Sequence, residues 1–228
     1  AVKAMNLNLT ELVAELLRGP REVWVTIPEG IRREEIAEKF SEVFGNPGFY
    51  DDFVARSKGE EGYLFPDTYL FPKTATASAV IVKMKATFRE RVDFEVTPSE
   101  VILASILERE TVTEEERPMV AGILQKRLAA GWPLQADATV QYALGEKGNW
   151  WKRPLTKEDL EIASPYNTYK YRGLPPGPIA NPGLSSLRAA ANQEDSPYWF
   201  YLHDAKGAIH YAATIEEHNE NVRRYLGK

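Results

Sequence analysis

The sequence contains no cysteine among its 228 residues. This absence excludes a disulfide framework, a zinc site built on thiolates and a cysteine nucleophile. It does not decide the cellular compartment, because proteins of the cytosol and proteins outside it can both do without thiols.

The chain also lacks an excess of positive charge and any long apolar run. Its formal net charge is −5, and phosphate binding requires a basic face, so nucleic acid is not an expected partner. No run reaches the length of a membrane-spanning helix, and no signal peptide opens the sequence. Glycine-rich phosphate loops are absent, and the spacing of His203, His210 and His218 matches no zinc motif. We therefore expect neither a metal ion nor a cofactor.

The composition is sufficient for a buried core, since 43% of the residues are hydrophobic and 11% are aromatic. The segment 58–73 is expected to be irregular, and residues 132–195 show little periodicity apart from a short helix around 156–162. A strand is predicted at 21–27 and a hairpin at 198–213. Helices are predicted at 8–18, 33–45, 76–93, 97–110 and 114–130, and from Thr214 onward.

One of the five glutamates in ILERETVTEEER, residues 106–117, differs from the others in its position. On a helical wheel, Leu103 and Ile106 lie within about 40° of Glu110. Glu110 therefore continues the apolar stripe of its helix, at the C-terminal end. Glu108 lies on nearly the opposite side. The glutamates of 114–116 suit the first turn of the next helix, where carboxylates oppose the positive end of the helix dipole.

A carboxyl group that continues an apolar stripe is partly removed from water, and the C-terminal end of a helix dipole acts in the same direction. Both effects raise the pKa of Glu110, as a general acid working near neutral pH requires. The wheel alone leaves another interpretation open. Glu110 could reach solvent at the helix end or pair with an arginine such as Arg127.

Two later segments carry side chains suited to a sugar-like ligand. Residues 133–144 offer polar groups, Gln141 among them, that can bind hydroxyls and amides; the alternative is an Asp-centred turn before an amphipathic element. Residues 165–183 combine asparagine and tyrosine, which read N-acetyl groups and stack on pyranose rings; the alternative is a rigid Pro-Gly loop that supports the core. The candidate substrate-binding residues are Gln135, Asp137, Thr139, Tyr142, Asn167, Tyr169 and Asn181.

Seven segments together resemble the YceG-like (MltG) family, the endolytic murein transglycosylases of bacteria. They occur in family order and extend over about residues 26–226, nearly the whole chain. The segments are VTIPEG, EGYLFPDTY, ILASILERET, ERPMVAGILQKRL, LQADATVQYAL, YNTYKYRGLPPGPIANPG and HYAATIEEHNENVRRYL.

The resemblance implies a lyase that cleaves the β-1,4 bond between MurNAc and GlcNAc within nascent peptidoglycan strands. The product ends are 1,6-anhydro-MurNAc, and the cleavage would terminate or trim glycan polymerisation. In the family the catalytic glutamate directly precedes the threonine of the helix-end motif, which corresponds here to Glu110 before Thr111. Peptidoglycan strands are the implied substrate, and cell-wall synthases are candidate partners.

The implied fold is α+β. A mixed helical catalytic domain with a small β-hairpin region is expected at residues 49–228, after a partial LysM-like α/β subdomain at residues 1–48. The family usually has Asp-Pro-Thr where this chain has Asp-Ala-Thr at 137–139, a change that keeps both polar side chains. The family's N-terminal membrane helix does not occur in this sequence. We expect the natural protein to be anchored in the bacterial cell membrane by that helix, with this part extracytoplasmic.

Two further functions remain as alternatives. One is a peptidoglycan-binding module without turnover, which would keep the aromatic and asparagine-rich segment and would not depend on Glu110. The other is aminodeoxychorismate lyase, a label attached to some similar sequences. That activity requires pyridoxal phosphate, and no feature of the sequence supports it.

Overall fold

The computed structural model describes residues 21–227, in which eight α-helices and two small antiparallel sheets form a mixed α+β fold, as expected. The helix predicted at 8–18 lies outside the described residues. The strands are β1 Glu22–Thr26, β2 Thr68–Pro72, β3 Phe200–His203 and β4 Ile209–Ala212. The helices are α1 Arg33–Phe44, α2 Gly48–Arg56, α3 Ala77–Arg91, α4 Pro98–Glu110, α5 Arg117–Ala129, α6 Asp137–Leu144, α7 Leu184–Ala191 and α8 Ile215–Asn221.

Most predicted elements occur within three residues of their expected bounds. These elements are β1, α1, α3, α4, α5, the hairpin of β3 and β4, and the start of α8. A single 3₁₀ turn, Asp159–Glu161, stands where the short helix was expected. None of the helices in the described part of the chain combines the length and the apolar composition needed to cross a bilayer.

Four elements were not predicted: α2, β2, α6 and α7. The expectation of an irregular segment at 58–73 is wrong for β2, which pairs antiparallel with β1 and buries Tyr69 and Phe71 on one face. Two prolines and a turn frame these five residues and obscure their alternation. Helices α6 and α7 have eight residues each, about two turns, and so short a run does not establish a 3.6-residue period.

The chain packs around two apolar clusters. The first cluster contains side chains of β1, β2, α1, α2 and α3, and Phe40 is at its centre. The centroid of the Phe40 ring lies 5.5 Å from that of Phe44 and 5.5 Å from that of Phe71. The cluster takes side chains from both sides of residue 48, Phe44 before it and Phe49 and Phe53 after it. The division at residue 48, and the LysM-like character of the part before it, stay predictions.

Helix α4 is the centre of the second cluster, where it packs mainly against α7. Val101, Ile106 and Leu107 have no exposed surface, and each buried side chain of this size contributes about 1.5–3 kcal/mol. The helix begins at a complete capping box, since Thr97 and Glu100 each accept the other's backbone N–H. At its other end the helix stops at Glu110, where the N–H of Thr111 donates to the backbone oxygen of Leu107.

A buried polar network joins the two clusters. The Asn181 amide oxygen accepts the backbone N–H groups of Gly62 and Leu64 at 2.9 and 3.0 Å, and its amide nitrogen donates to the Glu61 carboxyl at 2.7 Å. The Arg33 N–H, in the first turn of α1, donates to the same Glu61 oxygen at 3.0 Å. Burial raises the pKa of Glu61 to about 8, so this carboxyl is largely protonated at neutral pH.

Candidate active site

Glu110, the last residue of α4, lies where two surface cavities meet. Cavity A has a volume of about 980 Å³ and is also lined by Arg109, Gln141 and Arg153. Cavity B has a volume of about 410 Å³ and is also lined by Arg127, Gln135 and Tyr201. Both include Glu110, Asp137, Tyr169 and His203. Together they form one groove that passes across the Glu110 carboxyl.

Each oxygen of the Glu110 carboxyl has one hydrogen-bond donor. Oε1 accepts the backbone N–H of Ala138, in the first turn of α6, at 3.3 Å. Oε2 accepts the Tyr201 hydroxyl, from β3, at 3.3 Å. Each oxygen therefore keeps a lone pair that can face a ligand in the groove.

The alternative in which Glu110 pairs with Arg127 is wrong. Arg127 is buried, and it donates to the backbone oxygens of Leu134 and Trp199 at 2.7 and 2.8 Å. No cationic side chain of the described residues forms an ion pair with Glu110. Its carboxyl is thus available for chemistry.

The surroundings of Glu110 raise its pKa above the ordinary value. Burial is the main cause, and the negative charge of Asp137 adds to it. The Ala138 N–H, the Tyr201 hydroxyl and the charge of His203 act in the opposite direction, because they favour the ionised carboxylate. The raised pKa stabilises the protonated form relative to an exposed carboxyl, and the carboxylate keeps two donors, so one group can give a proton and take one back.

Three of the predicted binding residues lie in the groove. Asp137 and Gln135 are exposed there, and Tyr169 is half-buried. The Tyr169 hydroxyl donates to Asp137 at 2.5 Å. Burial and this bond raise the pKa of Tyr169, so the hydroxyl keeps its proton. Gln135 has a φ of 54°, a conformation that is uncommon for a residue with a side chain and that presents it toward cavity B.

The other predicted binding residues do not face the groove. Thr139, Asn167 and Asn181 have no exposed surface, so the expectation that they contact substrate directly needs correction. Thr139 donates to the backbone oxygen of Ala136 at 2.7 Å. The Asn167 amide donates to two backbone oxygens at 2.8 and 3.0 Å, and Asn181 holds the network described above. These side chains fold the loops around the groove.

Tyr142, the remaining candidate, lines a separate cavity of about 410 Å³ together with Glu61 and Tyr166. Its hydroxyl donates to the buried Glu61 carboxyl at 3.4 Å. The Arg32 guanidinium stacks over its ring at 4.2 Å from the centroid. Tyr142 therefore supports the contact between the two clusters, away from Glu110.

Two other glutamates of the segment 106–117, Glu108 and Glu116, bind groups of the protein itself. Glu108 points away from the large-apolar face, as predicted, and its carboxylate accepts from Arg117 at 3.0 Å and from the Gly183 N–H at 2.9 Å. Glu116, predicted in the first turn of the next helix, lies one residue before α5 as its N-cap residue. It is buried, and it accepts the N–H of Thr113 at 2.6 Å and bonds the His203 ring at 2.9 Å.

The sequence analysis did not identify Tyr201, His203, Arg109 or Arg153 as site residues. Tyr201 and His203 are two positions apart on β3, so both side chains lie on the same face of the hairpin. The local sequence does not indicate that this face meets Glu110. Arg109 directly precedes the candidate acid. A charged residue at a helix end is ordinarily solvated, so the sequence position of Arg109 does not mark it as a site residue.

Known proteins with similar sequences and structures identify the relatives of this chain. The model of the YceG-like family matches residues 4–224. An endolytic murein transglycosylase of Bacillus subtilis (strain 168) is 37% identical over 176 residues, 73% of this chain and 48% of that protein. One of Streptococcus pneumoniae (strain R6) is 27% identical, over 97% of this chain and 49% of that protein. The chain spans about half the length of these curated relatives. A crystal structure of a YceG-like protein from Listeria monocytogenes superposes with a TM-score of 0.74 at 32% identity, covering 94% of this chain and 81% of that one.

Proposed function

This chain belongs to the YceG-like family, and from that membership and the geometry of the groove we propose that it is a peptidoglycan lytic transglycosylase. The substrate is a glycan strand, and the bond cleaved is the β-1,4 bond between MurNAc and GlcNAc inside it. The product ends are 1,6-anhydro-MurNAc, and Glu110 is the acid and base of the reaction. The relatives named endolytic murein transglycosylase support the reaction class.

The observation that carries the proposal is the position of Glu110 between cavities A and B. A strand lying along the groove would pass sugars on both sides of this carboxyl. Access from both sides suits cleavage within a strand, because sugar units on either side of the broken bond need room. The raised pKa of Glu110 suits a group that must begin the reaction protonated.

In the first half of the reaction, the proton of Glu110 passes to the glycosidic oxygen O4. The bond between C1 of MurNAc and O4 breaks, and the GlcNAc side leaves as an alcohol. Positive charge develops at C1, as in other glycosidic cleavages. The carboxylate of Asp137, exposed in the groove, and the N-acetyl group of the sugar can both stabilise that charge.

In the second half, the C6 hydroxyl of the same MurNAc attacks C1. Its oxygen forms the new bond to C1, and its proton passes to the Glu110 carboxylate, which regenerates the acid. No water is consumed. One carboxyl group suffices because the nucleophile is part of the substrate, whereas hydrolytic glycosidases need two. The two donors on Glu110, from Ala138 and Tyr201, hold the intermediate carboxylate in place.

The proposal extends to the setting of the enzyme. Its polymer substrate lies outside the bacterial cytoplasm, so we place this part of the protein in the cell envelope, facing the wall. Attachment through an N-terminal membrane helix and cooperation with cell-wall synthases follow from the family resemblance and belong to the same proposal.

The test compares wild type with Glu110→Gln on purified sacculi, with release of anhydro-muropeptides measured by mass spectrometry. The variant should still sediment with glycan strands and should release no anhydro product above background. Glu115→Gln, an exposed glutamate outside the groove, is the matched control and should retain full activity. If wild type binds sacculi but releases no anhydro product, the protein is a binding module and the enzymatic proposal fails.

A further inference from the structure

Cavity A carries two guanidinium groups that lack counter-ions. Arg109 and Arg153 both line it, and neither forms an ion pair with a carboxylate of residues 21–227. The carboxyl groups that also line the cavity have other roles, since Glu108 pairs with Arg117, Asp137 accepts the Tyr169 hydroxyl and Glu110 is the proposed acid. Two unpaired cations in one concave site therefore indicate a place for an anion that the protein itself does not supply.

Arg109 is held rigidly for such a role. Its guanidinium carbon lies 3.8 Å from the centroid of the Trp151 ring, and one terminal nitrogen donates to the Gly30 oxygen at 3.2 Å. The Trp151 indole N–H in turn donates to Glu35 at 2.8 Å. The Nε of Arg109 is buried and has no hydrogen-bond partner. A guanidinium fixed by stacking loses little freedom when it binds a planar anion.

Arg153 completes the pair from the loop after α6. It is exposed, and no hydrogen bond or ion pair within the described chain restrains it. Burial lowers the pKa of Arg109 and the positive charge of Arg153 lowers it further, while the charges of Glu35, Glu108 and Glu110 act in the opposite direction. The two cations thus lie close enough to repel each other, and a bound anion would relieve that repulsion.

Gln141 has an amide oxygen that needs a hydrogen-bond donor. Only 3% of its surface is exposed, its amide nitrogen donates to the Lys152 oxygen at 3.2 Å, and its amide oxygen is buried without a partner. A buried acceptor without a donor is costly, and Gln141 lines cavity A beside the arginines. The cavity therefore offers a place for a ligand N–H as well as for an anion.

We infer that cavity A binds the stem peptide of the glycan strand, with a peptide carboxylate on Arg109 and Arg153 and a peptide N–H on Gln141. The inference rests on the proposed function, since it names the part of that substrate which the groove recognises. Cavity B holds one guanidinium, that of the buried Arg127, which donates through Nε and Nη1 to backbone oxygens, whereas cavity A also presents the exposed Arg153. The two sides of Glu110 are thus unlike, and peptide-bearing strands should be preferred to bare glycan.

A guanidinium pair binds phosphate as readily as carboxylate, so a terminal pyrophosphate on a nascent strand is a second source of the anion. Gln141 favours the peptide, because phosphate oxygens do not donate to an amide oxygen. Strands with and without stem peptides, and with and without the terminal pyrophosphate, separate the two sources.

The test measures equilibrium binding of these strands to the Glu110→Gln variant, in which turnover does not interfere. Peptide-bearing strands should bind about tenfold more tightly than strands stripped by an amidase, a difference of about 1.4 kcal/mol, because only they offer a carboxylate to the two guanidinium groups. Adding Arg153→Gln should bring that ratio close to one, and raising the salt concentration should reduce it. Arg89→Gln, an exposed arginine on α3, is the control and should leave the ratio intact.

A ratio near one before Arg153 is changed overturns the inference, and so does a preference that follows the pyrophosphate instead of the peptide. Turnover by wild type separates this failure from failure of the proposed function. Anhydro products released at equal rates from stripped and peptide-bearing strands would remove only the peptide site. Absence of anhydro products from both would remove the transglycosylase itself.

Discussion

The hydroxyl of Tyr201 lies 3.3 Å from Oε2 of Glu110 and connects two residues that are 91 positions apart in the chain. Burial keeps the pKa of Tyr201 well above its usual range, so the hydroxyl is a permanent donor. It favours the ionised form of Glu110 and limits the rise in pKa that burial imposes on that carboxyl. The hairpin of β3 and β4 therefore adjusts the proton affinity of the end of α4.

Replacing Tyr201 with phenylalanine should raise the pKa of Glu110, because the carboxylate loses a donor while its burial remains. The alkaline limb of the pH profile of kcat/KM, where a general acid is lost by ionisation, should move to higher pH. The maximum rate should fall about tenfold, near the lower end of the effect of a hydrogen bond to a charged group.

Tyr211→Phe is the matched control for that substitution. Tyr211 lies opposite Tyr201 in the register of the hairpin, and its hydroxyl does not contact Glu110. Its profile should coincide with that of wild type. If the alkaline limb of Tyr201→Phe does not move, a group other than Glu110 determines that limb.

Replacing Asp137 with asparagine should have the opposite effect on Glu110. The negative charge of Asp137 raises the pKa of its neighbour, so its removal should lower that pKa and move the alkaline limb to lower pH. The shift should be larger at low salt than at high salt, because the effect is that of a charge. Asp52→Asn, at a half-exposed position of α2 that pairs with Arg56, should leave the profile unchanged. A limb that moves upward in Asp137→Asn would contradict this account of the site.

Ala138→Pro tests the other donor, because proline has no N–H to offer Oε1 of Glu110. Position 138 is in the first turn of α6, where an N–H has no partner within the helix. The pKa of Glu110 should therefore rise, and the alkaline limb should again move to higher pH. Ala138→Gly keeps the N–H and should not produce the shift. Thermal unfolding of both variants would show that α6 remains folded.

Glu61 should make the protein less stable as pH rises. Its folded-state pKa is about 8, above the ordinary value of 4.5 that it has in the unfolded chain, so the folded state holds the proton more firmly. The stabilisation is complete below about pH 4.5 and is lost as pH rises through about 8. Glu61→Gln mimics the protonated carboxyl and should abolish this part of the pH dependence, a difference on the order of 4 kcal/mol.

Urea unfolding from pH 5 to pH 9 measures this effect. Glu60→Gln is the control, since Glu60 is a half-exposed neighbour paired with Lys85, and its stability should follow wild type across the range. Equal slopes of stability against pH in Glu61→Gln and wild type would show that Glu61 does not titrate in the folded protein as described.

The comparison between sequence and structure shows which parts of a site a local pattern can reveal. Glu110 was found because a helix of thirteen residues has enough turns to show which face is apolar. Tyr201 was missed because strand alternation tells which residues share a face and does not tell what that face meets. The partner lies in an element remote in sequence, and only the packing of the hairpin against α4 brings them together.

The asparagines illustrate a different limit. An amide in a proline- and glycine-rich loop can read a sugar or can satisfy backbone groups that the irregular loop leaves unpaired. Asn167 and Asn181 do the latter. The two roles use the same chemistry, so residue type cannot separate them and only burial does. Gln135 and Asp137, in similar sequence surroundings, are exposed in the groove.

The indole of Trp151 is placed between Arg109, on which it stacks, and Glu35 of α1, to which it donates. Trp150 makes a second such bond, to Glu38 at 3.1 Å. Helix α1 thus supports one wall of the groove through these two hydrogen bonds. A shortened chain beginning after residue 48 would lose both bonds, and the position of Arg109 would no longer be fixed. Its inactivity could then result from a disordered groove even if the removed part never contacts glycan. Deletion alone cannot assign a ligand to the N-terminal region of this protein.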